Sequence, residues 1–258
     1  MKRIDSTQNE TIRKMRALKS KKGRQEYGQF LAEGAKCVEE ALLSQCVVES
    51  VFIHGSDRRI EALAREQGVE VIQVSKPVIE AVTSVQTPQN VAACVAIPPF
   101  VKPQGGLVVA LECVSDPQNV GSIIRSADAA GAAGVVFGLG CADWLNPKAV
   151  RASMGSIFHL HLYEGDLAAY FMEFKNTGCV VSGHLNGKAE LPACANMCLV
   201  IGNESRGVSE ETATLSDSLY KIPIYGRAES LNASVAAGIM MYMAREKMEK
   251  AKEEFGEI

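Results

Sequence analysis

Apolar and polar positions follow two rhythms along this chain, and the switches between them mark out the elements. From Glu33 to Ser44 apolar residues fall at 35, 38, 41 and 42, the spacing of one helix face. Val47 to His54 is β-branched and strand-like, Asp57 to Gln67 returns to helical spacing, and Val69 to Val74 is strand-like again. A short helix over Lys76–Val82 and a strand over Val91–Ile97 complete a small α/β unit. Beyond residue 106 the strands become short continuous apolar runs: Leu107–Val114, Val135–Leu139, Ile157–Leu162, Cys179–Ser182 and Met197–Gly202. Runs of that kind belong to strands buried on both faces. Helical stretches lie between most of them. Asp166–Lys175 is the clearest, and Asn119–Ala130 is Ala-rich and stops at Gly131. A long last helix runs from Asn232 to about Glu254. Strand–helix alternation of this sort predicts a mostly parallel sheet covered on both faces.

Between the two patterns, Ile97-Pro98-Pro99-Phe100-Val101-Lys102-Pro103-Gln104-Gly105-Gly106 carries three of the nine prolines. Proline bars both helix interior and central strand, so a linker is expected over 99–106. It divides the chain into an N-terminal unit, 1–98, and a C-terminal unit, 107–258.

The length of 258 residues suits one large domain or two modest ones. No apolar run approaches the roughly 20 residues of a membrane span, and the polar, basic N-terminus has no secretory h-region. Eight cysteines are scattered without metal-type pairing. The expectation is a soluble, cytoplasmic protein with reduced thiols and no membrane partner. The four histidines show no ligand spacing, and His159-x-His161 reads as one face of a strand, so no metal site is expected.

Net charge of −3 conceals an asymmetry. Residues 1–106 hold fifteen Lys and Arg against twelve Asp and Glu, whereas residues 107–258 hold twelve against eighteen. The basic excess concentrates in residues 1–24, which read either as a polyanion-binding arm or as a solvated helix face.

Three clusters carry candidate chemistry, each just after a predicted strand, where open α/β sheets bind ligands. The first is Asp116-Pro117-Gln118-Asn119-Val120-Gly121-Ser122-Ile123-Ile124-Arg125-Ser126-Ala127. Asn119 and Arg125 are six apart, off a common helical face unless Asn119 precedes the helix as its N-cap. The second is Leu199-Val200-Ile201-Gly202-Asn203-Glu204-Ser205-Arg206-Gly207, which fits neither the dinucleotide fingerprint nor the phosphate loop. The third joins Ile222-Pro223-Ile224 to Ser230-Leu231-Asn232-Ala233-Ser234-Val235-Ala236, where Ser230 or Asn232 is placed to cap the last helix. Taken singly, each is explained by helix capping or an ordinary strand–turn–helix connection.

In order and spacing the three together resemble the signature motifs of the SpoU (TrmH-like) RNA ribose 2′-O-methyltransferases of the SPOUT class. Asn119, Gly121 and Arg125 match the first motif. Gly202-Asn203-Glu204 with Gly207 match the second, and Ile222-Pro223 with Ser230 to Ala236 the third. The segment 30–98 resembles that family's ribosomal-protein-like substrate-binding domain, through Glu33-Gly34 opening a helix and Thr87-Pro88-Gln89-Asn90-Val91 before a strand.

The resemblance implies an α/β SPOUT domain with a parallel sheet and a C-terminal trefoil knot, behind a smaller N-terminal α/β RNA-binding domain. It implies S-adenosyl-L-methionine as cofactor, RNA of the 23S ribosomal type as partner, and a homodimer. Cofactor contacts fall on Leu199, Gly202, Asn203, Ile222 and Leu231, and the catalytic set on Arg125, Asn119, Glu204, Ser230 and Asn232. A guanidinium holds its proton, so phosphate and ribose positioning suits Arg125 better than a base role. Arg227 and Trp144 are further candidate RNA contacts, although Arg227 also reads as a solvated loop residue and a lone Trp is more often structural. Other readings stay open: a non-catalytic RNA-binding or assembly factor on this fold, a tRNA methyltransferase, and, disfavoured by the missing glycine fingerprint, a nucleotide-binding oxidoreductase.

Overall fold

The computed structural model describes residues 2–84 and 89–255, with side chains to residue 251. Thr87 and Pro88 of the N-terminal motif lie outside the described residues. In chain order the first elements are β1 (Lys2–Ile4), α1 (Glu10–Ala17), α2 (Lys21–Tyr27), β2 (Gln29–Glu33), α3 (Ala35–Leu43) and β3 (Val48–Ile53). Next come α4 (Arg58–Glu66), β4 (Glu70–Val74), α5 (Lys76–Val82), β5 (Val91–Ala96), β6 (Leu107–Leu111), α6 (Pro117–Ala129) and β7 (Gly134–Phe137). The rest are α7 (Pro147–Ala152), β8 (His161–Glu164), α8 (Leu167–Phe174), β9 (Cys179–Lys188), β10 (Met197–Ile201), α9 (Glu210–Leu215), β11 (Ser218–Tyr220) and α10 (Ala233–Phe255).

The chain forms two compact units, Met1–Pro99 with Asp143–His159, and Phe100–Ala142 with Leu160–Ile258. The sequence pattern assigned 143–159 to the C-terminal unit; the chain instead leaves that unit after β7 and returns before β8. Two ion pairs and one histidine–carboxylate contact within the first unit hold the excursion: Arg24 to Asp143 at 2.6 Å, Arg151 to Glu33 at 2.8 Å, and His159 Nε2 to Glu40 at 3.2 Å. Pairs that join residues more than a hundred positions apart leave no trace in local periodicity.

In the first unit the sheet order is β1-β4-β3-β5-β2, with β5 antiparallel to both neighbours and the other pairs parallel. The basic stretch is not an arm. Asn9 caps α1 through Thr11 N, and Ser20 caps α2 through Gly23 N. Ile4, Ile12, Met15 and Leu18 of this stretch sit in one apolar core with Leu31, Phe52, Ile72 and Val78. Two of its cations serve the fold. Lys19 donates to the carbonyls of Ala81 and Thr83 at the end of α5, and Arg24 is buried on Leu18 O and Asp143. Arg13, Arg16, Lys21 and Lys22 are left exposed. The Glu33-Gly34 pair does not open a helix from Glu33. Glu33 ends β2 and Gly34 precedes α3 at φ 93°, a conformation only glycine adopts without strain.

The second unit is a six-stranded sheet ordered β11-β9-β10-β6-β7-β8, and every pair is parallel. β6, β7 and β10 are buried along their whole length, as continuous apolar runs require. The run Ile157–Leu162 is not a strand. Ser156–Phe158 forms a 3-10 turn and β8 starts at His161, so His159 and His161 share no strand face and fall in different units. α10 packs against α6, where Gly238 faces Ser126 and Arg245 Nε donates to Ala130 O at 3.0 Å. That cation satisfies carbonyls at the end of α6. Cys179 and Cys194 are joined in a disulfide, against the expectation of reduced thiols throughout. Among the described residues no helix is long and apolar enough to cross a membrane.

Candidate active site

Because every strand of the second sheet runs the same way, the segments after β6, β10 and β11 emerge at one end. These segments carry the three sequence clusters. Asp116, not Asn119, is the N-cap of α6: its carboxylate accepts from Gln118 N at 2.9 Å, with Pro117 in the first helical turn. Proline at the helix start displaces the cap three residues upstream of the expected one. Asn119 therefore lies inside the first turn, buried, and Arg125 points away from it on the exposed side of the same helix.

Asn119 is the hub of the site. Its Nδ2 donates to Glu204 Oε1 at 3.0 Å, and its Oδ1 accepts from Asn232 Nδ2 at 3.0 Å. Asn232 in turn caps α10, its Oδ1 accepting from Ser234 N at 2.9 Å and Val235 N at 3.3 Å. Asn203 closes a tight loop by pairing with Gly207 through both backbone bonds, while its Nδ2 donates to Cys113 O at 2.9 Å. A Cβ on Gly202 would sit 2.2 Å from the Gly207 carbonyl carbon, so this glycine is needed for the loop's own closure. One residue from each cluster thus meets in a single hydrogen-bonded relay.

Burial works against the charge of Glu204, but hydrogen bonds from Asn119 and from nearby peptide N–H groups outweigh it and hold the carboxyl below its usual range. Glu204 is an ionised acceptor at neutral pH. Burial pushes the Cys141 thiol, which donates to Leu111 O, up to about 11, so it is a thiol at neutral pH.

Beside the relay lies a cavity of about 550 Å³, within the range of small-molecule sites. Of the residues expected from sequence, Gly202, Asn203, Glu204, Ile222, Ser230 and Leu231 line it. Leu199 is fully buried within β10, Asn119 and Asn232 stand behind Glu204 in the relay, and Arg125 lies outside the lining. A wall made by Gly183, His184, Leu185 and Asn186 is not foreseen from the sequence, because the polarity of these residues hides the continuation of β9 to Lys188.

The lining suits a nucleoside-type cofactor with both apolar and charged parts. Leu185, Ile201, Ile224 and Met240 offer apolar surface, and Glu204 and Glu229 offer negative charge to a cation. Between Ile222 and Leu231 the chain makes no backbone–backbone hydrogen bond among the described residues. Among the described residues no group of three or more His, Cys, Asp or Glu is arranged to hold a metal ion.

A wholly parallel sheet whose carboxyl-end loops wall one cavity defines an α/β enzyme of the nucleotide-cofactor-binding kind. The family model described as SpoU rRNA Methylase matches residues 106–242, and one described as an MRM3-like substrate binding domain matches residues 9–93. The chain is 37% identical over 249 residues to the Bacillus subtilis (strain 168) 23S rRNA (guanosine(2553)-2′-O)-methyltransferase RlmP, covering 95% of this chain and 100% of that protein. Its fold is similar to the AdoMet-bound rRNA methyltransferase from Sinorhizobium meliloti, with TM-score 0.81, 34% identity and coverage of 95% and 97%. It is likewise similar to the SpoU methyltransferase AviRb from Streptomyces viridochromogenes in complex with AdoMet, with TM-score 0.82, 28% identity and coverage of 93% and 98%. The chain belongs to the SpoU rRNA methylase family.

Proposed function

We propose that this protein transfers the methyl group of S-adenosylmethionine to a ribose 2′-hydroxyl of RNA, with 23S-type ribosomal RNA as substrate. The observation that carries the proposal is the Asn232–Asn119–Glu204 relay on the wall of the cavity. The cofactor, when bound, supplies a methyl group on a positively charged sulfur. Gly202, Asn203, Ile222 and Leu231 hold it in the cavity, with Leu199 buried beneath as support. Glu204 Oε1 is committed to Asn119, and the ionised carboxylate offers its remaining capacity to a hydroxyl at the cavity wall. Ser230, exposed on the lining, is a second hydroxyl-orienting group. Holding the hydroxyl in line with the methyl group removes part of the barrier before the reaction begins.

Arg125 makes no hydrogen bond or ion pair among the described residues and is exposed, which suits a guanidinium reserved for a substrate phosphate. Val235, Ile239 and Tyr242 form an apolar stripe on α10, with Val235 50% and Tyr242 58% exposed. A second copy of the chain seated on that stripe covers it and meets the α6–α10 pair that carries Arg125, so the working form is a homodimer. The likeness to solved SpoU methyltransferases supports a knotted C-terminal segment, and the ribosomal substrate supports a place in the cytoplasm.

The first unit supplies the RNA surface through the exposed Arg13, Arg16, Lys21 and Lys22, with Lys14 lying over the Tyr27 ring at 5.4 Å. Incubation with labelled cofactor and 23S rRNA transcript, followed by mapping of 2′-O-methylation, tests the function; no incorporation into ribose overturns it. Arg125→Ala is expected to keep the fold and cofactor affinity and lose most methyl transfer. Full activity in that variant removes Arg125 from the site.

A further inference from the structure

Tyr225 stands out on the loop that walls the cavity. Its side chain is 95% exposed, although Ile224 just before it and Glu229 and Ser230 just after it line the cavity. The loop ends at Asn232, which is held in the relay. Tyr220 lines the same cavity, and its phenol is pushed up first by burial and then by Tyr225. Two residues on, Arg227 is exposed and makes no ion pair among the described residues. Arg206 and Lys221, both exposed, belong to the cavity lining itself. The lining and its loop thus carry three cations, Arg206, Lys221 and Arg227, beside the carboxylates of Glu204 and Glu229, and the loop bears one solvent-facing aromatic ring.

A ribose cannot present its 2′-hydroxyl to a walled cavity while its base stays stacked in a helix. The target nucleotide must be splayed out, losing its stacking partners. An aromatic face at the rim replaces part of that loss and tolerates any base, since every base has a π-face. We infer that Tyr225 is the stacking platform for the target base, with Arg227 on the adjoining phosphate, an assignment that rests on the methyl-transfer reading above. Tyr225 is a positioning residue: it acts on where the ribose sits, and the reacting atoms lie inside the cavity.

The full-length protein is tested with a 23S rRNA transcript. Tyr225→Ala should raise KM for RNA by about 5- to 150-fold, the range of single-base stacking losses, with kcat and cofactor affinity near wild type. Tyr225→Phe should restore KM, and Tyr225→Leu should behave like Ala. An unchanged KM in Tyr225→Ala overturns the inference. So does full rescue by Leu, which would mean apolar packing alone, and so does conversion to monomer in light scattering, which would place the ring in a subunit interface. RNA affinity by filter binding separates the two claims. If Tyr225→Ala binds RNA more weakly but wild type transfers no methyl group, the platform stands and the methyl-transfer reading falls.

Discussion

Asn119 and Asn232 lie 113 residues apart in sequence and meet side chain to side chain, Asn232 Nδ2 donating to Asn119 Oδ1 at 3.0 Å. The Asn119 amide is thereby used at both ends, since its own Nδ2 serves Glu204. An isosteric Asp has no donor to give Glu204 and sets two carboxylates face to face, so Asn119→Asp should fail where shape alone would predict tolerance.

The pair should be energetically coupled. Asn232→Ala removes the cap of α10 and should cost about 1 kcal/mol, and Asn119→Ala a similar amount. In a double-mutant cycle by urea denaturation the two losses should fall short of additive by at least roughly 0.5 kcal/mol. Strict additivity would mean that the contact stores nothing.

Acid should dissolve the relay. The Glu204 carboxyl is held below its ordinary value of 4.5, so its contribution to stability is complete above that value and lost as pH falls through the lower, folded-state value. Denaturation of wild type and Glu204→Gln from pH 7 down to pH 3 should show a stability gap that closes toward the acid end. A gap that widens on acidification would reverse the assigned direction.

Arg151→Ala should destabilise the first unit by about 3 kcal/mol. It would strand the Glu33 carboxylate, whose side chain is 2% exposed and whose other hydrogen-bond partner among the described residues is Ser84 N at 3.1 Å. Glu33 Oε1 already has no hydrogen-bond partner among the described residues. Chemical denaturation should show Arg151→Met with Glu33→Gln recovering much of the loss.

RNA affinity should depend on Arg13 and Arg16, which share an exposed face of α1. Replacing both by Ala should flatten the slope of log affinity against log salt by roughly 1.5, while Arg65→Ala on α4 should leave it unchanged. Deleting residues 1–24 is the wrong test, since it removes β1 and the core residues Ile12, Met15 and Leu18.

Much of the second unit is legible in the sequence because buried parallel strands are apolar without interruption, as Leu107–Leu111 and Met197–Ile201 are. The motif residues were legible as well, and Gly202, Glu204 and Ser230 do face one cavity. What stayed hidden depends on partners far along the chain. β2 begins with Gln29 and ends with Glu33, polar residues that look exposed yet are buried against Cys94 and Arg151. β9 continues into polar residues because its later half edges the cavity. Asn119 fits a cap by propensity, yet Asp116 and Pro117 start the helix earlier. The Cys179–Cys194 disulfide joins two cysteines whose spacing resembles no framework.

The excursion of Asp143–His159 means that the backbone passes between the two units three times. The protein is consequently not two beads on one string, and its parts do not recombine freely. A graft that exchanged everything before the proline-rich stretch for another substrate-binding module would keep Val150 and Ile157, which are buried in the original partner, and expose them to a stranger. Any exchange of RNA specificity between relatives must therefore carry two separate stretches of sequence at once, or rebuild Arg24, Glu33 and Glu40 on the incoming module to receive the one left behind.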